Sequence, residues 1–490
     1  MFNLLGQGVP LVVALVCLPV VLSGLGADRL GLLILSWTIL GYAGPFDLGI
    51  GRAAARLMAA AQAQGMTEGV PRVLGTALMV QAVFGMSAGL GIAAVTPMLV
   101  NDVLALPAGL KPEGVSTLQL VALAIPIVFA SNSLRGALYA AQRFDLVNAV
   151  LIPASSSLYV ISAVGAVTGW TLQVIVAWLV ASKVVALAML GLLAWRHCPG
   201  LAGRRPSLSP TALAALLRFG SWATVSSVTI SLVSHVERLL IPVFLSVGML
   251  TYYSVPYEAV SRGAIVPVSM ALALFPVFSR FNGREGQPLT SLVVRPLKYL
   301  LLIMTPALTF VVLFARELLS FWMGPSFAAR AAAPLQFLAV AFYMGAFSHI
   351  LRSAVHGLGR PDLKAQLDLL NGILFVTLLF TLIPRFGLVG AGGARAMTAL
   401  TELVGLVILV SRIAPHSLEP GRLWHALSPG LAVGGGFVCI AAAIALMRGS
   451  TLAYAVFAVL TFLYIPLFWR RASDSSDREA VAHLRTWLER

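Results

Sequence analysis

The sequence predicts an all-α polytopic membrane protein of about fourteen transmembrane helices, built as two pseudo-symmetric six-helix lobes plus a C-terminal helix pair. Three observations carry this. Of 490 residues, 59% are hydrophobic and 10% charged, with mean hydropathy +0.93; soluble domains run about 45–50% apolar and about 25% charged. The apolar residues fall in helix-length blocks, and the ~10-residue alternating segments of a membrane β-barrel are absent. Basic residues fall in alternate loops. Together these exclude a soluble enzyme, a disordered chain and a disulfide-stapled secreted domain.

Fourteen apolar segments follow in order: roughly 9–26, 30–50, 73–96, 118–139, 147–168, 172–195, 218–245, 249–278, 293–314, 332–352, 365–384, 388–411, 426–447 and 451–469. Met1–Gln7 carries no Lys or Arg, so the first segment is expected to stay as a membrane helix and not to be a cleaved leader. With a cytoplasmic N-terminus, 23 of the 33 Lys and Arg residues lie in cytoplasmic loops and the tail, and 6 on the opposite side. Because the Lys/Arg bias sets orientation, both termini are expected in the cytoplasm of a bacterial inner membrane. The net charge of +15 is then read as loop arginines at an anionic leaflet, with no nucleic-acid partner. Cys17, Cys198 and Cys439 are odd in number and dispersed, and the seven histidines are scattered. No disulfide framework, metal site or cofactor is predicted.

The connection 197–217 is basic, Pro-containing and poor in apolar residues. It reads as a cytoplasmic linker between an N-lobe (1–196, helices 1–6) and a C-lobe (218–412, helices 7–12), followed by helices 13–14 (413–470) and a cytoplasmic tail (471–490). An internal repeat supports this division. Arg135-Gly-Ala-Leu-Tyr-Ala-Ala-Gln-Arg143-Phe-Asp145-Leu146 aligns with Arg352-Ser-Ala-Val-His-Gly-Leu-Gly-Arg360-Pro-Asp362-Leu363 at an offset of 217. A parallel repeat implies a pseudo-twofold axis along the membrane normal. Arg135 and Arg352 are candidate partners of Asp145 or Asp362 in a cytoplasmic gate latch.

Nine ionisable residues fall in predicted spans: Asp47, Lys183, Glu237, Arg238, Glu258, Arg262, Asp368, Arg395 and Glu402. A charge at mid-bilayer costs at least ~2.5 kcal/mol, so these should face a polar cavity or each other. Glu258 and Arg262 are spaced i,i+4 and can meet on one helix face. Arg395 and Glu402 lie two turns apart on one face, and Asp47 and Asp368 sit near cytoplasmic ends, where capping or loop arginines can absorb them. Lys183, Arg238, Arg262 and Arg395 form a candidate cationic cavity, since cations and Arg in particular suit an anionic head group. Glu402, Glu258 and Glu237 are the candidate H+ or Na+ coupling carboxylates, with Glu402 favoured because Arg262 neighbours Glu258. Pro126, Pro242, Pro256, Pro267 and Pro276 interrupt spans and offer bending points.

Several motifs in order resemble polysaccharide (O-antigen type) flippases of the multidrug/oligosaccharidyl-lipid/polysaccharide exporter superfamily. They are Asn3-Leu-Leu-Gly-Gln7, Leu25-Gly-Ala-Asp-Arg-Leu-Gly31, Phe46-Asp-Leu-Gly-Ile-Gly-Arg52, Phe219-Gly-Ser-Trp222, Tyr252-Tyr-Ser-Val-Pro256 and Leu274-Phe-Pro276, with the Arg135 and Arg352 motifs. The resemblance implies two six-helix lobes around a V-shaped cavity. It also implies an undecaprenyl-diphosphate-linked oligosaccharide moved from the cytoplasmic to the periplasmic leaflet by alternating access. Membrane lipid and other polysaccharide assembly proteins are the implied partners. The alternative is a multidrug or cation antiporter of the same superfamily; an integral-membrane glycosyltransferase fits worse, because no outer loop is large.

Overall fold

The structure is a computed structural model that describes residues 2–43, 47, 49–66, 68–201, 207–279, 289–414, 420–445 and 451–473. The middle of the linker, the basic loop at 280–288 and the tail from 474 lie outside the described residues. All regular structure among the described residues is helical: α1 (Phe2–Ala43), α2 (Ile50–Ala63), α3 (Gly69–Met98), α4 (Lys111–Ala140), α5 (Phe144–Thr168), α6 (Leu172–His197), α7 (Pro210–Phe244), α8 (Val247–Ser261), α9 (Ile265–Ser279), α10 (Leu289–Leu313), α11 (Ala315–Met323), α12 (Pro325–Gly357), α13 (Pro361–Ile413), α14 (Pro420–Ala445) and α15 (Thr451–Ala472). Eleven stretches are long and apolar enough to cross a membrane. The protein is therefore a multi-pass membrane protein.

The span count is consistent with about fourteen for a physical reason. A straight helix the length of α13 would run about 80 Å, against a hydrocarbon core of ~30 Å. Gly387 breaks it with φ 60° and ψ −136°, and Gly26 breaks α1 with φ 76° and ψ 171°. Only glycine adopts such values without strain. Each break falls between two of the expected segments. The stretch Val247–Ser279 is interrupted by a short 3₁₀ turn, Arg262–Ala264, so the eighth segment is two helices in line. Two helices were not expected. The amphipathic α2 buries Ile50, Ala53, Ala54 and Met58 and exposes Arg52 and Arg56; α11 has nine residues. Both are too short or too polar for a span-length hydropathy reading.

The chain divides into two compact units, Met1–Val255 and Pro256–Arg490. In the first, α3, α4, α5 and α6 surround a core of Met58, Leu74, Leu138, Val147, Leu190 and Leu216. α7 packs against α1, α2 and α3 within this unit. In the second, Phe278, Leu297, Leu300, Ile350, Leu351 and Leu406 form the core. The terminal pair α14–α15 joins α10 through an aromatic cluster of Phe314, Phe437, Phe457, Tyr464 and Phe468, and Tyr464 OH donates to Leu301 O at 3.0 Å. Outward faces carry Val167, Leu272 and Phe462, a distribution suited to lipid and unfavourable in water.

The repeat is visible in the backbone. α4 ends at Ala140 and α12 at Gly357, while α5 starts at Phe144 and α13 at Pro361, each pair 217 residues apart. The two connecting turns make the same hydrogen bonds. Ala141, Gln142 and Arg143 N–H donate to Ala137, Tyr139 and Leu138 O; Leu358, Gly359 and Arg360 N–H donate to Ala354, His356 and Val355 O. Gln142 (φ 56°) and Gly359 (φ 76°) occupy the same left-handed position. The breaks agree too: the Gly44–Gly49 connection before α2 matches the Arg262–Ala264 turn before α9 at nearly the same offset.

At the start of α8 the chain approaches α1 closely, within the first unit. A Cβ on Gly31 would meet the Val247 carbonyl and lie 3.3 Å from Gly248 Cα; one on Gly248 would meet the Asp28 carboxylate. Gly31 and Gly248 are themselves 217 residues apart. Thr251 Oγ1 donates to Ala27 O at 2.8 Å, Ala105 N–H to Pro242 O at 3.0 Å, and Val247 N–H to Ala105 O at 3.2 Å. Two polypeptide backbones thus meet with no side chain between them, which only glycine permits.

Candidate functional site

In the second unit, the charges expected inside spans are organised as two groups. The first is on α8 and α13. Arg262 Nη2 donates to Glu258 Oε2 at 3.3 Å, the i,i+4 pair expected from spacing, and both side chains are half-buried. Arg395, on the second half of α13, lies over Phe375 with 4.5 Å to the ring centroid and 5.7 Å from that of Tyr257. Tyr257 is held edge-on by Phe342 at 5.5 Å. Stacked guanidinium keeps its charge while its flat faces are covered, leaving its edge donors as the group's route to an anion.

The second group is the Glu402 cluster. Arg352 Nη2, from α12, bonds Glu402 Oε1 at 2.5 Å; Lys364 Nζ, from the first half of α13, reaches the same oxygen at 3.3 Å and also pairs with Asp368. Lys364 is 2% exposed. This corrects two expectations. Glu402 is not the carboxylate with fewer cations: it has two, whereas Glu258 has Arg262. Nor does Arg395 serve it, since seven residues of helix separate them by about 10 Å. The partners come from sequence-distant helices, which spacing along one helix cannot reveal. Lys364 was read as a loop cation; it is among the most buried charges of the unit.

The latch pairings are also absent from this structure. Arg143 bonds Asp145 at 3.0 Å through both guanidinium nitrogens, and Arg360 bonds Asp362 in the same way at 3.0–3.1 Å; all four side chains are exposed. The left-handed residue at Gln142 or Gly359 turns each arginine back over the acid two positions on. Arg135 instead donates to Asn132 Oδ1 at 3.2 Å, and Arg352 is on Glu402. The motif arginines are equivalent in sequence and sit on different acids.

In the first unit, Glu237 and Arg238 are buried side by side in α7. Lys183 is half-buried near the middle of α6, and among the described residues it makes no ion pair or hydrogen bond. An uncompensated ammonium at that depth is stable only where water or an anion reaches it. Asp47, expected in a span, lies in the connection between α1 and α2, where it accepts from Gly49 N–H at 2.9 Å, Asn132 Nδ2 at 3.1 Å and Gln81 Nε2 at 3.3 Å. Sequence reading missed Gln81 and Asn132 as partners, because an amide inside an apolar helix carries no charge to mark it. No group of His, Cys, Asp and Glu among the described residues has the arrangement of a metal site.

A multi-pass helical membrane protein with an internal repeat and embedded cations belongs to the class of carriers, and its fold has solved counterparts. The lipid II flippase MurJ in an inward closed conformation aligns over 96% of this chain and 98% of its own, with TM-score 0.75 and 9% identity. An inward-facing MATE family multidrug resistance transporter of the MOP superfamily aligns over 84% and 99%, with TM-score 0.69 and 15% identity. The chain belongs to the polysaccharide biosynthesis protein family, which it matches over residues 67–332. It is 22% identical to a putative O-antigen transporter of Shigella flexneri over 413 residues, 84% of this chain and 97% of that one. It is also 22% identical to a probable low-salt glycan biosynthesis flippase of Haloferax volcanii, over 52% of this chain and 55% of that protein.

Proposed function

We propose that this protein is a flippase for surface polysaccharide biosynthesis, carrying an undecaprenyl-diphosphate-linked oligosaccharide from the cytoplasmic to the periplasmic leaflet by ion-coupled alternating access. The observation that carries the reading is the set of membrane-embedded cations, above all Lys183, which has no counter-ion among the described residues. We assign Lys183 and Arg238 in the first unit, and Arg262 and Arg395 in the second, to attraction of the diphosphate-sugar head group. A diphosphate offers several oxygens to such donors, and Arg binds it with paired hydrogen bonds. The family and the two glycan-related relatives support the substrate class.

Glu402, Glu258 and Glu237 are the carboxylates we assign to coupling. Glu402 and Glu258 each hold a cation, so an anionic head group that claimed Arg352 or Arg262 would free a carboxylate for H+ or Na+. We place the two copies of the duplication at 1–196 and 218–412; the matching element ends support this. The motif arginines Arg135 and Arg352, with Asp145 and Asp362, keep their assignment to the cytoplasmic gate, in which the local pairs would have to exchange. An inner-membrane location with both termini cytoplasmic follows from the loop charges. A multidrug antiporter would favour acids over bases in its cavity, the opposite of the lone Lys183.

The test is complementation of a flippase-null host, with the lipid-linked intermediate assayed in each leaflet. Lys183→Gln at matched expression is expected to reduce export at least tenfold. Normal export by that variant and by Arg238→Gln, Arg262→Gln and Arg395→Gln alike would make the charges structural.

A further inference from the structure

Asp47 differs from every other acid described above in having no cation on its carboxylate. It is 7% exposed, and its three hydrogen bonds all come from neutral donors, the Gly49 backbone and the amides of Gln81 and Asn132. Gln81 is 1% exposed, and its Oε1 atom is buried without a hydrogen-bond partner. An ionised carboxylate and an orphaned amide oxygen therefore lie at the two ends of one buried side chain. Each is costly alone. One proton resolves both: a neutral Asp47 carboxyl gains an O–H donor, and rotation of the Gln81 amide presents Oε1 to it.

The charged groups around the turn do not supply an alternative. α4 brings Arg135, which is on Asn132 Oδ1 at 3.2 Å. α2 carries Arg52 and Arg56 on its exposed face. α3 carries Arg72 near its exposed start, far along the helix from Gln81. The charges of α1, Asp28 and Arg29, are at the far end of its second half. α7 has Arg218 at its start and His235, Glu237 and Arg238 toward its other end. Burial pushes the Asp47 carboxyl above the usual carboxylate range, against the opposing hydrogen bonds from Gln81, Gly49, Asn132 and Gly51. The second copy does not repeat the arrangement. Positions 217 residues on from Asp47, Gln81 and Asn132 are Ala264, Lys298 and His349.

We propose that Asp47 and Gln81 form a proton-binding site, in which the Asp47 carboxylate takes one proton from water to become the carboxylic acid and Gln81 Oε1 accepts the resulting O–H. The site is separate from the carboxylates assigned to coupling and does not depend on what the carrier moves. Asp47 also receives the Gly49 N–H and its own carbonyl accepts Ile50 N–H at 3.2 Å, so its charge is linked to the turn that aims α2.

The experiment is an infrared difference titration of the full-length protein in liposomes, from about pH 5 to 8, where ordinary carboxyls are already ionised. A protonated-carboxyl C=O band that titrates in this range is expected in the wild type and absent in Asp47→Asn. Gln81→Leu removes a donor that favours the ionised form, so the midpoint should rise by about one unit. A band that persists in Asp47→Asn, or no titrating band in the wild type, overturns the proposal. So does an unmoved midpoint in Gln81→Leu, a test that stands even if Asp47→Asn does not fold. Export measured in parallel separates this site from the transport reading: lost export with no titrating band refutes the proton site alone.

Discussion

Replacing Glu402 by Gln would strip a carboxylate from two cations at once. Lys364 is 2% exposed, whereas the Arg352 side chain is 39% exposed. Water can replace Glu402 at Arg352, so that half of the interaction is discounted. Lys364 has no such recourse, and removing one partner of a buried pair costs about 3–5 kcal/mol when the other charge is left uncompensated. Asp368 still holds Lys364, which brings the expected loss for Glu402→Gln down to about 2 kcal/mol. Adding Lys364→Met removes the stranded ammonium and fills its space with a chain of similar length. The double variant should therefore recover at least half of the loss. Denaturant unfolding in detergent, followed by tryptophan fluorescence, measures the single variants and the pair as a cycle. If Lys364→Met adds its own cost to that of Glu402→Gln with no recovery, Lys364 and Glu402 do not share an interaction and the cluster has been misread.

Two further outcomes follow from packing. Gly31→Val should lower the midpoint of thermal unfolding and abolish export, while Gly91→Val, at a glycine with nothing within 4 Å, should leave both unchanged; equal behaviour of the two variants would remove the close approach of α1 and α8. Cys198 is buried, and its thiol is pushed up to about 11 by that burial. In a Cys17→Ser, Cys439→Ser background it should stay unlabelled by maleimide at neutral pH until the protein is unfolded in SDS, and labelling of the native protein at the rate of a free thiol would contradict its place in the core.

The spans were legible because lipid demands apolar residues on every side of a helix, so Leu- and Ala-rich blocks announce themselves without any partner being known. The repeat was legible for a different reason: Arg143 and Arg360 sit two residues before an acid in a turn whose hydrogen bonds fix the spacing. What could not be read were contacts made across helices. Arg352, Lys364 and Glu402 are separated by up to 50 residues and meet on one oxygen. The same limit hid the Asp47, Gln81 and Asn132 knot, where two of three members are neutral amides. α2 escaped because an amphipathic helix of 14 residues falls below a span-length window.

Gly31 and Gly248 hold the same position in the two copies of the sequence, and they lie against each other. In an isologous contact of identical chains, a residue that touches its own counterpart is one that sits on the twofold axis. Before the copies were fused, a half-length chain with this glycine would have met a second chain of its kind at that point. The single-chain protein thus retains a homodimer seam inside its own first compact unit. Fusion released the two sides from having to be identical: one copy keeps Asp47 at the bend of its second helix, and the other has Ala264 there and Glu402 elsewhere. A symmetric dimer could not have held both arrangements at once.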